Sequence, residues 1–306
     1  MRPAAATVGS FWRCRADDDP ADLDVPRGKQ DWQDRPHTIW YPRTSGIWRS
    51  CFVEHRGDTH VASIDAVGDP RDMTLTVSVD VGGPIPDGLV AQMRVSHESS
   101  GIRLVDDRCV VHQPRVTRTV PIGDGGIDDR WALPWFPRRP SLLTVEVGLE
   151  TGGGRPLDRA ESTAALRTVS VDGGAFCING RPYPLRLVLD QGYWPRSGAT
   201  PPDVQALKTD LELARALGFN GVRKHQKTED PRFLALADRL GMLVWAEMPS
   251  AYRAGPRSAA GLLPEWAEVI EATAPTPRWW RGCRSTSRGG SMPWPSTPAS
   301  ARWWLR

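Results

Sequence analysis

The sequence predicts a chain of more than one domain, with β structure first and α/β structure after it. Three observations lead there. The 306 residues suffice for about two domains, and 40% of them are apolar, enough for packed cores. Up to about residue 168, apolar and polar residues alternate with the period of half-buried strands. From Val169 onward, strands are separated by stretches whose apolar residues step by three and four, the order that begins a parallel α/β fold.

Residues 23–28 and 41–46 are loops by their Pro and Gly content. Residues 47–54, rich in β-branched and aromatic side chains, read as a strand. Leu75, Val77, Val79 and Val81 then alternate with Thr76, Ser78 and Asp80, and the pattern repeats with Leu143, Val145, Val147 and Leu149. Short strands set apart by Gly/Pro turns over roughly 60–168 predict an immunoglobulin-like sandwich.

In the second half, residues 185–189 form a strand ending at Asp190. Asp203 is placed to cap a helix whose buried face is Leu207, Leu211, Ala214 and Leu217, with Gly218 terminating it. Residues 219–223 are a second strand. Asp230-Pro231 opens a second helix that Gly241 ends, and residues 242–247 are a third strand. Asp190, Arg223, His225 and Glu247 thus fall at or just after strand ends. In a (β/α)₈ barrel that face carries the active site. A structural reading stays open beside the functional one, with Arg223 and Glu247 serving only as an ion pair.

Other features narrow the function classes. The five cysteines, Cys14, Cys51, Cys109, Cys177 and Cys283, are scattered without metal-ligand spacing, so no metal and no cofactor is expected. No stretch approaches the roughly 20 apolar residues of a membrane span, and residues 1–10 hold no apolar leader core. A cytoplasmic location is therefore the default expectation. From Ala272 to Arg306 there are six Arg and no Asp or Glu. A basic, Trp-rich arm of this kind can bind nucleic acid or a membrane surface.

Several strings resemble glycoside hydrolase family 2, which includes β-galactosidases and β-glucuronidases. Ser45-Gly46-Ile47-Trp48-Arg49, preceded by Pro26-Arg27-Gly28-Lys29-Gln30-Asp31-Trp32, is similar to the end of that family's sugar-binding jelly roll. Trp135-Phe136-Pro137 with Pro140-Ser141-Leu142-Leu143 resembles a motif near the end of its sandwich domain. Leu166-Arg167-Thr168-Val169 resembles the link into its barrel, and Asn179-Gly180-Arg181-Pro182 the turn before the first barrel strand. The most specific strings are Asn220-Gly221-Val222-Arg223-Lys224-His225-Gln226-Lys227, Asp230-Pro231-Arg232-Phe233, Ala237-Asp238-Arg239-Leu240-Gly241 and Val244-Trp245-Ala246-Glu247-Met248-Pro249. The resemblance runs from about residue 15 to 270.

It implies a jelly-roll remnant at 1–56, an immunoglobulin-like sandwich at 57–168, the first part of a TIM barrel at 169–270 and an aberrant, disordered tail at 271–306. The implied activity is retaining hydrolysis of β-glycosides, which needs two carboxylates about 5–5.5 Å apart, one neutral acid and one ionised nucleophile. In the family these lie on barrel strands four and seven, and after Glu271 this sequence has no Asp or Glu. Both catalytic residues are therefore expected to be absent. The resemblance puts Asp190, Tyr193 and Trp194 at the sugar subsite, Trp194 by stacking, with Arg223, His225 and Glu247 bracing the catalytic carboxylates. The partner is a carbohydrate, with no nucleic acid and no membrane.

The tail has a second reading. Back-translated with GC-rich codons and shifted by two nucleotides, it can read Val-Pro-Leu-Asn-Glu-Ser-Trp-Gly, with the Asn-Glu pair overlapping Ser285, Thr286 and Ser287. That is a family strand-four motif, so the tail is read as frameshifted and the start as truncated. A non-catalytic carbohydrate-binding β-sandwich protein is the alternative. With about two and a half of eight βα units, the barrel piece is expected to be far less well folded than the sandwich.

Overall fold

The computed structural model describes residues 15–51, 54–123 and 126–273. The first strands are β1 (His60–Asp69), β2 (Thr74–Gly82), β3 (Val90–His97), β4 (Arg103–Val110) and β5 (Arg115–Pro121). A short helix α1 (Ile127–Ala132) precedes β6 (Leu143–Glu150) and β7 (Pro156–Ala164). They form two antiparallel sheets, one ordered β1-β2-β5 and the other β4-β3-β6-β7. The alternation anticipated in the sequence supplies the core between them. Leu75, Val77, Val79 and Val81 from one sheet are buried with Val95, Val145, Val147 and Leu149 from the other. The facing positions are polar, and Thr76 and Ser78 there share hydroxyl contacts with Thr119 and Thr117, each at 2.9 Å.

Next come β8 (Val169–Asp172), β9 (Ala175–Ile178) and β10 (Arg181–Pro182), an antiparallel meander. Both of its turns are two residues long, Gly173-Gly174 and Asn179-Gly180, and all four residues have positive φ. Such turns match the twist of paired strands, and Gly and Asn tolerate them best. Asn179 also fixes the meander in place. Its Oδ1 accepts from the Thr168 N–H at 2.8 Å and its Nδ2 donates to the Trp135 carbonyl at 3.0 Å. Trp135 is fully buried and donates its indole N–H to the Asp238 carbonyl at 3.1 Å. With Leu142, Ile178 and Leu243, it forms the core joining the sandwich to the α/β part.

The α/β part runs β11 (Leu187–Asp190), α2 (Val204–Ala216), β12 (Gly221–Lys224), α3 (Pro231–Leu240), β13 (Leu243–Ala246) and α4 (Pro256–Thr273). Its three strands are parallel in the order β11-β12-β13. Asp203 caps α2, its carboxylate accepting from the Ala206 N–H at 2.7 Å. Asp230 caps α3 ahead of Pro231, and Gly241 ends that helix at φ +69°. Leu207, Leu211, Ala214, Phe233, Leu234 and Ala237 pack with Val222 and Val244 of the sheet.

Two expectations need correction, the strand at 47–54 and the buried place of Leu217. Residues 47–51 form no strand, because among the described residues no neighbouring strand offers them a ladder; Ile47 is exposed. Residues 15–51 hold only one isolated bridge, Gln30 to Tyr41, and lie against the α/β part without building a sheet. Leu217, assigned to the buried face of α2, is 77% exposed, since it follows the last helical residue and leaves the 3.6-residue period. Helix α4 continues to Thr273. Most of the stretch expected to be an aberrant tail, residues 274–306, and the start at 1–14 lie outside the described residues.

Candidate functional site

The parallel register decides which side chains share a face. Leu189, Arg223 and Trp245 stand side by side across β11, β12 and β13, and Asp190, Lys224 and Ala246 form the next row. Successive side chains point to opposite faces. Val222 and Lys224 therefore face the helices, while Arg223, Trp245 and then Glu247 face the other side.

On that second face, Arg223 Nε donates to Glu247 Oε1 at 2.5 Å, and the Arg223 guanidinium lies 5.9 Å from the Trp245 ring. The Glu247 carboxylate is buried, and its other oxygen accepts from the Gln226 N–H at 3.2 Å. Gln226 sits at φ +56° and its side chain accepts from the Ser250 hydroxyl at 2.7 Å. One buried carboxylate thus ties the ends of β12 and β13 together.

His225 follows directly. Its N–H donates to the Asp190 carbonyl at 2.9 Å, and Gln191 Nε2 lies 3.2 Å from its Nδ1. Gln191 in turn accepts from the Tyr41 hydroxyl at 2.5 Å, and Tyr41 stacks on Tyr193 with ring centroids 4.0 Å apart. Burial holds the His225 pKa below its usual range, against the pull of Glu247, and the charges of Arg223 and Lys29 push the same way as burial. A neutral imidazole beside the Arg223–Glu247 pair can accept or donate a hydrogen bond to a hydroxyl-rich ligand. Burial also raises the Tyr193 phenol, which stays protonated.

Asp190 and Trp194 both have partners on the helix-facing side. Asp190 belongs to the helix-facing row, where its Oδ2 pairs with Lys224 Nζ at 2.6 Å; its Oδ1 accepts from the Gly192 N–H. Trp194 is partly buried and packs against the α2/α3 core. Tyr193, not Trp194, is the aromatic beside Gln191 and Tyr41.

The sequence reading missed a buried charge network under the site. Lys224 is 1% exposed and pairs with Glu229 at 2.7 Å as well as with Asp190, with its ammonium 4.0 Å from the Phe233 ring centroid. Lys227 contacts Glu229 at 3.2 Å and donates to the carbonyls of Gly192 and Ala199 at 2.5 and 2.8 Å. Burial alone would raise the Glu229 pKa, and the two lysines more than offset it, keeping the carboxylate ionised. Two ammoniums and two carboxylates balance, which makes their burial tolerable.

The amino-terminal segment was also missed as a part of this face. Gly28 N–H donates to the Ser250 carbonyl at 3.0 Å, and the Tyr252 hydroxyl donates to the carbonyls of Gly28 and Gln30. A Cβ on Gly28, which has φ +65°, would lie 2.3 Å from the Gln226 carbonyl oxygen. Arg257 and Arg253 hold Asp22 and Asp24 of the same segment. The signal available was the Gly between two charged residues in Arg27-Gly28-Lys29, a position where close backbone approach is possible. Among the described residues, no group of three or more His, Cys, Asp or Glu could hold a metal ion, and no helix is long and apolar enough to cross a membrane.

Residues 169–272 match the family described as Glycosyl hydrolases family 2, TIM barrel domain. A β-galactosidase of Thermoanaerobacter pseudethanolicus is 28% identical over 219 residues, covering 70% of this chain and 28% of the relative. A putative β-glucuronidase of Formosa agariphila is 32% identical over 116 residues, covering 38% of this chain and 14% of the relative. Among solved structures, the Bifidobacterium dentium β-glucuronidase complexed with coumarin-3-O-glucuronide aligns with a TM-score of 0.63 at 21% identity, over 82% of this chain and 41% of that one. The Bacteroides uniformis β-glucuronidase 3 aligns at 0.62 and 20% identity, over 81% and 31%. These structural likenesses speak for the fold. The chain spans less than a third of the length of the curated relatives it matches.

Proposed function

We propose that this chain, whose residues 169–272 match the TIM barrel domain of glycoside hydrolase family 2, carries part of the sugar site of a retaining β-glycosidase and binds carbohydrate without hydrolysing it. The observation that carries this reading is the arrangement of Arg223, Glu247, Gln226 and His225 on one face at the ends of β12 and β13. In a (β/α)₈ barrel, that is where substrates bind.

The chemistry follows from what each group can do. The Glu247 carboxylate is engaged by Arg223 and the Gln226 N–H, so it braces the strand ends and is not free as a nucleophile. A retaining mechanism needs a second carboxylate about 5–5.5 Å from the first, with one of the two protonated. Glu229 is engaged by two lysines on the helix side, and Asp190 by Lys224. Neither is placed to partner Glu247. His225, Gln226 and Arg223 are left to orient sugar hydroxyls.

The same reading takes the two-sheet domain as immunoglobulin-like, residues 1–56 as the end of a jelly roll, and the Arg/Trp-rich tail as an out-of-frame stretch whose intended frame restores Asn-Glu. A non-catalytic β-sandwich carbohydrate binder is the second reading; binding that survives loss of Arg223 and His225 would favour it. The deciding experiment is to incubate the chain with 4-nitrophenyl β-glycosides and, separately, to titrate it with methyl β-glycosides by calorimetry. Binding without turnover is expected. Turnover above the buffer rate that depends on Glu247 or Glu229 would refute the proposal.

A further inference from the structure

A cavity of about 780 Å³ lies where the β1–β2 turn, α1, the segment after α1 and the meander meet. Five arginines line it: Arg71, Arg130, Arg138, Arg139 and Arg181. Among the described residues, no Asp or Glu lines it. Arg71 is answered from outside by Asp69, and Arg130 Nη1 donates to the Arg71 carbonyl at 3.0 Å. Arg138, Arg139 and Arg181 have no carboxylate within ion-pair distance among the described residues, and the Arg139 Nε is buried without a hydrogen-bond partner. Elsewhere on the sandwich the pattern is the opposite. Arg94, Arg115, Arg118 and Arg159 each meet an Asp or Glu.

The frame that presents these charges is fixed. Phe136 and Arg139 exchange backbone hydrogen bonds at 3.0 and 2.8 Å, closing a turn over Pro137-Arg138 whose Pro sets the backbone angle. Phe136 is braced edge-on by Tyr183, with ring centroids 5.5 Å apart. Asn179, bonded to Thr168 and to the Trp135 carbonyl, leads directly through the meander turn to Arg181. The Arg139 guanidinium lies 4.4 Å from the Trp131 ring, which is still 66% exposed. Like charges gathered in a concave place repel one another and focus a positive field, which a counter-anion relieves. Guanidinium forks match phosphate oxygens two at a time. The arginines surround a cavity and form no extended stripe, so a compact anion suits them better than a polymer backbone.

We propose that this cavity is a binding site for a compact oligophosphate, free or esterified to a flat apolar group that lies on Trp131. Its residues come from the sandwich, α1 and the meander, and none belongs to the strand-end face. The site is therefore separate from the proposed carbohydrate site, and the failure of either reading leaves the other standing.

The test titrates the whole chain with inorganic tripolyphosphate by calorimetry. A Kd of about 10–100 μM is expected at about 0.15 M salt. The double variant Arg138→Gln with Arg139→Gln, and separately Arg181→Gln on the meander, should each weaken binding about tenfold or more without altering Tm. The two variants lie on different elements, so a folding defect in one leaves the other to decide. A second titration compares 1-naphthyl phosphate with inorganic phosphate. Tighter binding of the ester, lost in Trp131→Ala, identifies an esterified ligand, and equal affinity identifies the free oligophosphate. No binding of tripolyphosphate overturns the proposal. So does binding that the variants leave undiminished at unaltered Tm, which would assign it to the six arginines after Ala272.

Discussion

At the scale of single residues, the site is a set of buried charges whose partners fix their state. Glu247 is the clearest case. Glu247→Gln removes the charge that Arg223 answers and weakens the bond to the Gln226 N–H, and should cost about 2 kcal/mol in urea denaturation, since the guanidinium keeps partial access to water. The pair Arg223→Met with Glu247→Met should cost less than the two single changes added together. Additive costs would mean the two side chains do not act as a pair. His225 makes a pH prediction. Its folded pKa lies below the ordinary 6.5, so below that pH the unfolded chain takes up a proton that the folded chain refuses. The stability associated with His225 is therefore present above the unfolded pKa and declines as pH falls toward the folded one. Comparing urea midpoints at pH 7.5 and 5.5, the unmodified chain should lose more than His225→Asn. An NMR titration placing the His225 midpoint at or above 6.5 would contradict this.

At the scale of elements, local chemistry and tertiary context divide the work. Asp203→Ala removes the α2 cap and should cost about 1 kcal/mol, read as a shift in the denaturation midpoint. Gly241→Ala should cost more, at least about 2 kcal/mol. It places a Cβ at a positive φ, and that Cβ would lie 1.9 Å from the Pro137 carbonyl oxygen, so it disturbs the joint with the sandwich as well as the helix end. Equal small effects at both positions would show that the Gly241 contact is loose. The same division explains what the sequence could reveal. Asp203, Asp230-Pro231, Gly241 and the alternation of β2 and β6 are signals carried by a few neighbouring residues, and they predicted the elements they bound. Helix α4 was invisible because Gly261 and Pro264 interrupt its period. Lys224, Lys227 and Glu229 read as surface charges because nothing local announces a partner that the fold brings in. Asp190 was assigned to the strand-end face because its place at a strand end was legible and the side its carboxylate faced was not. Residues 47–51 had strand composition, but a strand exists only when another lies beside it.

At the scale of the whole molecule, two bodies of different cohesion meet at Trp135. The sandwich has seven strands around one core. The α/β part has three short parallel strands, of which only β12 is paired on both sides by described strands. Hydrogen exchange should therefore show strongest protection in β3 and β6, intermediate protection in β12, and the fastest exchange of the three parallel strands in β11 and β13. Protection of β11 and β13 equal to that of β6 would mean the α/β part is as cooperative as the sandwich. The joint itself can be probed with Trp135→Phe, which keeps most of the buried ring but loses the hydrogen bond to the Asp238 carbonyl. A cost of about 1–2 kcal/mol is expected, with the transitions of the two bodies moving further apart.

The meeting of Gly28 with the Gln226 carbonyl has a consequence for how this sequence can change over generations. Two backbone positions almost two hundred residues apart share one small volume, and both have left-handed geometry. Neither can drift alone. Any lineage that replaces Gly28 must first, or at once, rebuild the turn around Gln226, and a gene fusion that exchanged one segment without the other would inherit a mismatch at the ends of the parallel strands. Substitutions at positions 28 and 226 should therefore appear together among relatives, a historical signature of a contact that neither stretch of chain betrays by itself.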